Sequence, residues 1–307
     1  MADAFVSTST LSNAVLASID QYVRAELRHQ PLLRNLADTR PVQVDKPGSS
    51  VALYTRTDLA PATTPLNETT DPDAVSLPNP TSVTLTPNEY GNVSIATLKV
   101  KATSFFDVDP DQIDAITWNM RDTLDVLVRD IVSAGTNVRY ANSKTSTATV
   151  NSQDNIKSAD VRYIVAKLRG NAAQGKRGDI YASLIHPDVS HDLRAETGAG
   201  GWREAHQYAA PGMFWPGEIG IYEGVAFVET ARTKQANDGA TSAKVHRTLF
   251  LGKDALAEGV VVEPEVRIGV VPDKLNRFFP LGWYGYLGWT VFRQKALYRA
   301  ETGTSIV

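Results

Sequence analysis

Histidine, serine and acidic side chains are the groups in this sequence that could catalyse a reaction or bind a metal ion. The chain contains five histidines, which are His29, His186, His191, His206 and His246. Only His186 and His191 are close in sequence, and their separation across a proline does not place two ligands on one helix face. Ser190, His186 and Asp188 could compose a catalytic triad, but the sequence lacks the G-x-S-x-G turn of the α/β-hydrolases. We therefore predict no catalytic residue and no metal-binding residue.

Two further segments imitate ligand-binding loops. Gly170–Arg177 (GNAAQGKR) resembles a phosphate-binding loop, but Arg177 stands where Ser or Thr would hold Mg²⁺. It is also expected to follow a helix and precede a strand, the reverse of a true P-loop. The carboxylates of Asp107, Asp109 and Asp111 are spaced like the start of a calcium loop, whose required glycine and glutamate are missing here. We therefore predict no bound nucleotide, no calcium and no other cofactor.

The composition excludes several classes of protein. The chain of 307 residues has no cysteine, which rules out disulfides, thiolate metal sites and a cysteine nucleophile. No run of eighteen apolar residues occurs, so we expect no membrane segment and a soluble protein made inside the cell. The net charge of −3 argues against a protein that binds nucleic acid by neutralising its phosphates. At this length the chain can form one large domain or two of ordinary size.

The segment Asp109–Gly135 predicts one long amphipathic helix with both ends marked. Asp109 is a suitable N-cap, Pro110 suits the first helical position, and Gly135 ends the pattern. Apolar residues recur at helical spacing, at Ile113, Ile116, Met120, Leu124, Leu127, Val128 and Ile131. Such a helix would be roughly 35 Å long at 1.5 Å per residue. We expect it to be the scaffold on which the other elements pack.

Residues 41–90 differ in composition from the rest of the chain. They contain eight of the sixteen prolines, and six acids against two basic residues give them a net charge of −4. Val51–Thr57 and Thr81–Thr86 are typical of strands, and the segment between them is too polar and too rich in proline to form a core. The sequence therefore predicts an extended two-stranded arm with a long tip, with an unstructured surface loop as the alternative.

The remaining patterns predict a mixed α+β chain with a strand-rich end. The expected elements are a helix within residues 11–27, a strand Tyr90–Ala102, a helix Ser158–Gly170, a strand Ile180–Ile185, a helix from Pro187 through Leu193, two short strands within Glu218–Thr230, a strand Thr248–Gly252 and the strand-rich block Leu281–Arg299. Residues 271–307 carry five basic residues against two acids, a net charge of +3. The acidic and basic regions are thus far apart in sequence.

This order of elements resembles the major capsid proteins of tailed bacteriophages, which have the Hong Kong 97-type fold. Several short segments carry the resemblance: Ile185–Asp188, Asp192–Arg194, Pro216–Gly220, Gly224–Thr230, Asp273–Arg277, Gly282-Trp283 and Ala296–Glu301. The likeness covers about residues 40–307. It implies a structural subunit that self-assembles as hexamers and pentamers into an icosahedral shell around double-stranded DNA. The expected location is the virion, after assembly in the cytoplasm of the host bacterium.

The resemblance also implies a division of the chain into the parts of that fold. These would be an N-terminal arm (1–40), an extended loop (41–88), a peripheral domain (89–157) with a spine helix at 110–134, an axial domain (158–270), and C-terminal strands (271–307) that return to the peripheral domain. In this family the extended loop lies over a neighbouring subunit. Some members cross-link subunits through Lys and Asn side chains, but the sequence assigns no such role to Lys46 or Asn67.

The partners implied are copies of the chain itself, a portal, a maturation protease, decoration proteins and a separate scaffold protein, since the segment before the loop is short. The opposite charges of the two regions suggest how copies pair. Our hypothesis is that acids on the loop contact basic residues of a neighbour's C-terminal region, the candidates being Asp58, Glu68, Asp71, Asp73, Arg293, Lys295 and Arg299.

Three alternatives remain. An encapsulin, a bacterial compartment with the same fold, would enclose enzymes in place of a genome, but the middle and C-terminal motifs look more phage-like. A hydrolase is disfavoured by the missing turn, and an adhesin or tail component would not form closed shells. We therefore expect a structural protein and not an enzyme.

Overall fold

The structure is a computed structural model, and it describes residues 28, 31–41, 50–104, 108–196, 201–202, 217–270 and 275–306. The predicted helix within residues 11–27 lies outside these ranges, as do His29, Lys46, Asp107 and His206. Among the described helices, none is both long and apolar enough to cross a membrane.

Four α-helices and thirteen strands make up the described part of the chain. The helices are α1 (Leu98–Thr103), α2 (Val108–Ser133), α3 (Ser158–Gly170) and α4 (Pro187–Ala195). The strands are β1 (Asp38–Pro41), β2 (Val51–Thr55), β3 (Thr81–Leu85), β4 (Asn88–Thr97), β5 (Val138–Tyr140), β6 (Tyr181–Ile185), β7 (Glu218–Tyr222), β8 (Val225–Glu229), β9 (Gln235–Ala236), β10 (Val245–Leu251), β11 (Leu256–Ile268), β12 (Phe278–Val291) and β13 (Leu297–Thr302).

The longest strands form a four-stranded sheet in the order β1-β11-β12-β4. Strands β11, β12 and β4 pair antiparallel, and β1 adds to β11 in parallel. Strand β4 is shorter than the predicted Tyr90–Ala102, because α1 begins at Leu98. The Thr97 hydroxyl accepts a hydrogen bond from the Val100 amide and so caps that helix.

A second sheet has seven strands, with β5-β13-β10-β6-β8-β7 in line and β9 paired to β10. Strands β7 and β8 form the hairpin that the sequence predicted. Its turn residues, Glu223 and Gly224, both have positive φ, at 52° and 78°. This is the conformation of a tight two-residue hairpin turn, and Gly adopts it without strain.

Strand pairing connects the segments on either side of residue 270. Strand β11 precedes that position but pairs with β12 in the four-stranded sheet, and β13 follows it but pairs with β10 in the seven-stranded sheet. The strand-rich block predicted as Leu281–Arg299 is therefore two strands, β12 and β13, separated by a 3₁₀ turn at Gln294–Ala296. The C-terminal segment thus connects both sheets.

Helix α2 covers the junction between the two sheets. Leu124, Val128 and Val132 from its buried stripe belong to one apolar cluster with residues of both sheets. Leu287 and Trp289 of β12 represent the four-stranded sheet in that cluster, and Leu184, Leu249, Leu251 and Leu297 represent the seven-stranded sheet. The predicted helix is confirmed within two residues at each end, and its role as a packing scaffold follows from this cluster.

The central strands of the seven-stranded sheet are buried on both faces. Leu249 and Leu251 of β10 join the cluster under α2, whereas Phe250 belongs to a second cluster with α3 and α4. Alternate residues of a strand point to opposite faces, so one strand supplies both clusters. The sheet is therefore a layer between α2 on one side and α3 and α4 on the other.

A buried carboxylate fixes the position of α2. Asp125 is 1% exposed. It accepts hydrogen bonds from the Leu33 amide at 2.7 Å and from Arg232 Nε at 2.6 Å, and Arg232 also pairs with Asp122. Burial acts to lower the pKa of Arg232, but its bonds with Asp122 and Asp125 outweigh this, so the pKa is raised and the guanidinium stays charged. One arginine thus ties α2 to the segment after β8.

Replacing Arg232 should destabilise the subunit by leaving Asp125 buried without its partner. We expect Arg232→Met to lower the free energy of unfolding of the unassembled chain by about 3 kcal/mol, measured by urea denaturation. The control is Arg121→Met on α2, where the arginine is exposed and a change within about 0.5 kcal/mol is expected. Equal effects of the two substitutions would contradict this account.

Candidate inter-subunit surface

The loop between β2 and β3 is exposed and belongs to no core cluster of its own chain. Strands β2 and β3 pair only with each other, and every residue from 56 to 80 is exposed. Four apolar side chains of the loop are about half exposed or more: Leu59 at 48%, Leu66 at 77%, Val75 at 78% and Leu77 at 65%. These apolar groups lie singly along the segment, and no core of its own chain covers them.

The four acids named from the sequence lie on this loop. Asp58, Glu68, Asp71 and Asp73 are all exposed, and none of them forms an ion pair with another described residue. Unpaired surface charges are well hydrated and contribute little to the stability of their own chain. The acidic face of the loop therefore remains available to a partner.

One of these acids shares a cleft with two of the basic residues named from the sequence. Asp58, Arg293 and Lys295 all line a cleft of about 720 Å³ between the base of the loop and the 3₁₀ turn before β13. Arg56 and Lys253 line it as well, so that four cations face one carboxylate. Within the described residues, neither Arg293 nor Lys295 forms an ion pair, and both are exposed.

Arg299 occupies a different environment. Its side chain is 14% exposed, and its Nε lies 2.8 Å from a carboxylate oxygen of the fully buried Glu301. Arg247 and Thr147 also contact this carboxylate, and Arg299 donates to the Ser133 carbonyl at the end of α2. Arg299 is thus part of an internal network that connects β13 to α2. The structure separates it from the two exposed cations with which the sequence grouped it.

The segment that imitates a phosphate-binding loop lines another basic cleft. It follows α3 and leads to β6, as the sequence predicted. This cleft, of about 850 Å³, contains Arg169, Lys176 and Lys253. Lys176, where a P-loop lysine would stand, instead pairs with Asp38 at 2.7 Å. This lysine therefore links the loop that precedes β6 to the first residue of β1.

The residues of the possible triad do not assemble into one. The Ser190 hydroxyl oxygen lies 3.0 Å from both the Pro187 carbonyl oxygen and a Glu229 carboxylate oxygen, which share its single hydrogen, and it accepts a hydrogen bond from Arg194. A nucleophilic serine requires a base at hydrogen-bond distance. Ser190 is instead part of a contact between α4 and β8.

The structure brings His186 together with a residue that the sequence analysis did not pair with it. The rings of His186 and His246 lie 4.6 Å apart between centroids, at the end of β6 and on β10. Burial, together with the proximity of His186, lowers the pKa of His246 to about 4. The side chain of His191, which is closer to His186 in sequence, is 60% exposed, and its Nδ1 lies 3.4 Å from Asp192 Oδ1.

A second exposed apolar region lies at the distal end of the four-stranded sheet. Ile268 is 85% exposed, Val270 is 92% exposed and Leu275 is 71% exposed, at the described ends of the β11–β12 connection. On the edge strand β4, Val93 and Ile95 are also more than half exposed. Among the described residues, the four-stranded sheet and the loop of residues 56–80 thus both carry several exposed apolar side chains.

Comparisons with known proteins agree with the resemblance. A family model described as phage capsid protein matches residues 127–283, just over half of the chain. No curated protein sequence matches. Among solved structures, the chain is similar to the capsid of cyanophage Pam1, with a TM-score of 0.72 and 14% identity over 100% of both chains.

Two further solved structures have the same fold. The capsid of Ralstonia phage GP4 has a TM-score of 0.71 and 12% identity, covering 99% of each chain. A protein of Mycobacterium phage Che8 has a TM-score of 0.67 and 14% identity, covering 94% of this chain and 98% of that one. The chain thus has the overall fold of these phage proteins. The chain belongs to the phage capsid protein family, as a structural major capsid protein.

Proposed function

We propose that this subunit assembles with copies of itself, as hexamers and pentamers, into the closed icosahedral head that encloses a phage's double-stranded DNA. The location is then the virion, following assembly in the cytoplasm of the host bacterium. Scaffold, portal, maturation protease and decoration proteins are the further partners of such a shell. In this proposal the subunit is not an enzyme, because a shell subunit acts through its shape and its contacts with other subunits.

The observation that carries this proposal is the loop of residues 56–80, in which every residue is exposed. A segment without a core cannot offset the entropy of ordering itself, which is about 1–2 kcal/mol for each residue's backbone. Its apolar side chains and acids support a role in which a neighbouring subunit supplies the missing contacts. The division into arm, loop, peripheral and axial parts remains part of this proposal.

The net charge of the chain supports a subunit that encloses DNA and does not condense it by neutralising its phosphates. A net charge of −3 gives the subunit no excess of cations with which to neutralise phosphates. The genome would therefore be held by confinement and not by binding to the shell, without sequence-specific contacts.

Electron microscopy of the purified chain, alone and with candidate scaffold protein, tests the proposal. We expect hexamers and pentamers that close into polyhedral shells. A stable monomer or dimer under both conditions would overturn it. Shells isolated from infected cells should contain double-stranded DNA, whereas packaged enzymes would identify the encapsulin alternative.

Shortening the loop should separate assembly from folding. We expect replacement of residues 56–80 by Asn-Gly, which suits a tight turn between Thr55 and Thr81, to abolish shells in electron micrographs. The free energy of unfolding of the isolated chain should change by less than about 1 kcal/mol, because every removed residue is exposed and none belongs to the core. Normal shells from the shortened chain would refute the role of the loop.

Reversing the two exposed cations should slow assembly. For Arg293→Glu/Lys295→Glu we expect about a tenfold lower assembly rate at low salt, followed by light scattering, and a smaller difference at high salt. Arg299 is left unchanged, because its substitution would disturb the buried Glu301 within the same subunit.

A charge exchange provides the matched control for that experiment. Adding Asp58→Lys, Glu68→Lys, Asp71→Lys and Asp73→Lys to the double variant should restore the rate if loop acids and these cations pair between subunits. Circular dichroism checks that each variant folds. Failure of the exchange, with both sets of variants folded, would reject this pairing while leaving shell formation itself intact.

A further inference from the structure

Three potential metal ligands converge where β6 ends and the neighbouring central strand β10 begins. They are His186, at the end of β6, Asp188, in the first turn of α4, and His246, on β10. One ligand atom from each lies within 4.8 Å of the other two. Asp188 Oδ2 is 3.2 Å from His186 Nδ1 and 4.0 Å from His246 Nε2. The three residues come from three elements, so their approach is a property of the fold.

His246 is buried, and its ring nitrogens lack hydrogen-bond partners among the described residues. The residue is 0% exposed, and neither ring nitrogen has a hydrogen-bond partner among the described residues. A buried polar group without a partner is rare in native proteins and is commonly explained by a water or an ion that occupies the site. The unsatisfied imidazole lies against the carboxylate of Asp188, which is where a cation would be held.

The neighbouring groups do not provide an equivalent set. Asp192 is the next carboxylate, but both of its oxygens accept hydrogen bonds from Ser305. Lys244 lies near His246, and its charge opposes a second positive charge there, as does the N-terminus of α4. The Asp188 carboxylate is the group that would balance these charges.

We propose that His186, Asp188 and His246 bind one Zn²⁺ ion that ties β10 to the start of α4 in each subunit. Two imidazoles and a carboxylate are ligands that Zn²⁺ accepts, and a water would complete the usual four. The ion would replace one missing hydrogen bond of His246 and link strands distant in sequence. Its role is structural, and it is independent of the assembly proposed above.

Metal binding to the purified full-length chain tests this proposal. After treatment with a chelator, the wild-type chain should bind one Zn²⁺ per subunit in calorimetry. His186→Asn and Asp188→Asn should each weaken the binding more than tenfold. Asn is a good N-cap, so His186→Asn keeps the start of α4 capped. The matched control, His191→Asn, removes a nearby exposed histidine and should bind as the wild type does.

The contrary outcomes are equally defined. Absence of saturable Zn²⁺ binding by the wild-type chain, or binding that is equal in all four proteins, would overturn the proposal and favour a buried water beside His246. Should the ligand variants fail to fold, X-ray absorption of the zinc-loaded wild-type chain decides the matter. Two imidazole ligands are expected there, and one or none would contradict the site.

Discussion

The apolar stripe of α2 is the constraint on which the other described elements depend. A helix of 26 residues spans about 39 Å and is stabilised mainly by burial of its apolar face. Neither sheet alone covers that face, because the cluster beneath it draws residues from both. The two sheets are therefore held together by a shared core, and Asp125 with Arg232 fixes the helix in its place over that core.

Local patterns predicted the elements whose signals lie within one segment. The caps and spacing of α2, the amphipathic α3 and the turn between β7 and β8 are all of this kind. Strand β11 was not predicted, because Pro264 and three glutamates interrupt its apolar pattern. The fold tolerates them, since the pairing with β12 shifts register between Val262 and Glu265, which places the proline at an irregularity.

The candidate surface was predictable in part for the same reason. The exposed, acidic loop follows from its composition. The sequence does not reveal which cations remain unpaired. Arg299 lies beside Glu301 on β13 and also contacts the end of α2, whereas Arg293 and Lys295 are on an exposed turn. The proximity of His186 and His246 likewise depends on the pairing of β6 with β10, which no local signal reveals.

In the proposed assembly, the loop would also keep free subunits from aggregating and would make the finished shell hard to take apart. Apolar groups spread singly along a polar, proline-rich segment give a free chain little reason to aggregate, because no large patch forms. If the loop docks on a neighbour as proposed, ordering it would cost part of the binding free energy, so each contact would be weak and reversible. In the proposed shell every subunit would both give and receive this contact, and many weak contacts engaged at once are far harder to break than one. Wrongly placed subunits would therefore dissociate early, while the finished shell would persist.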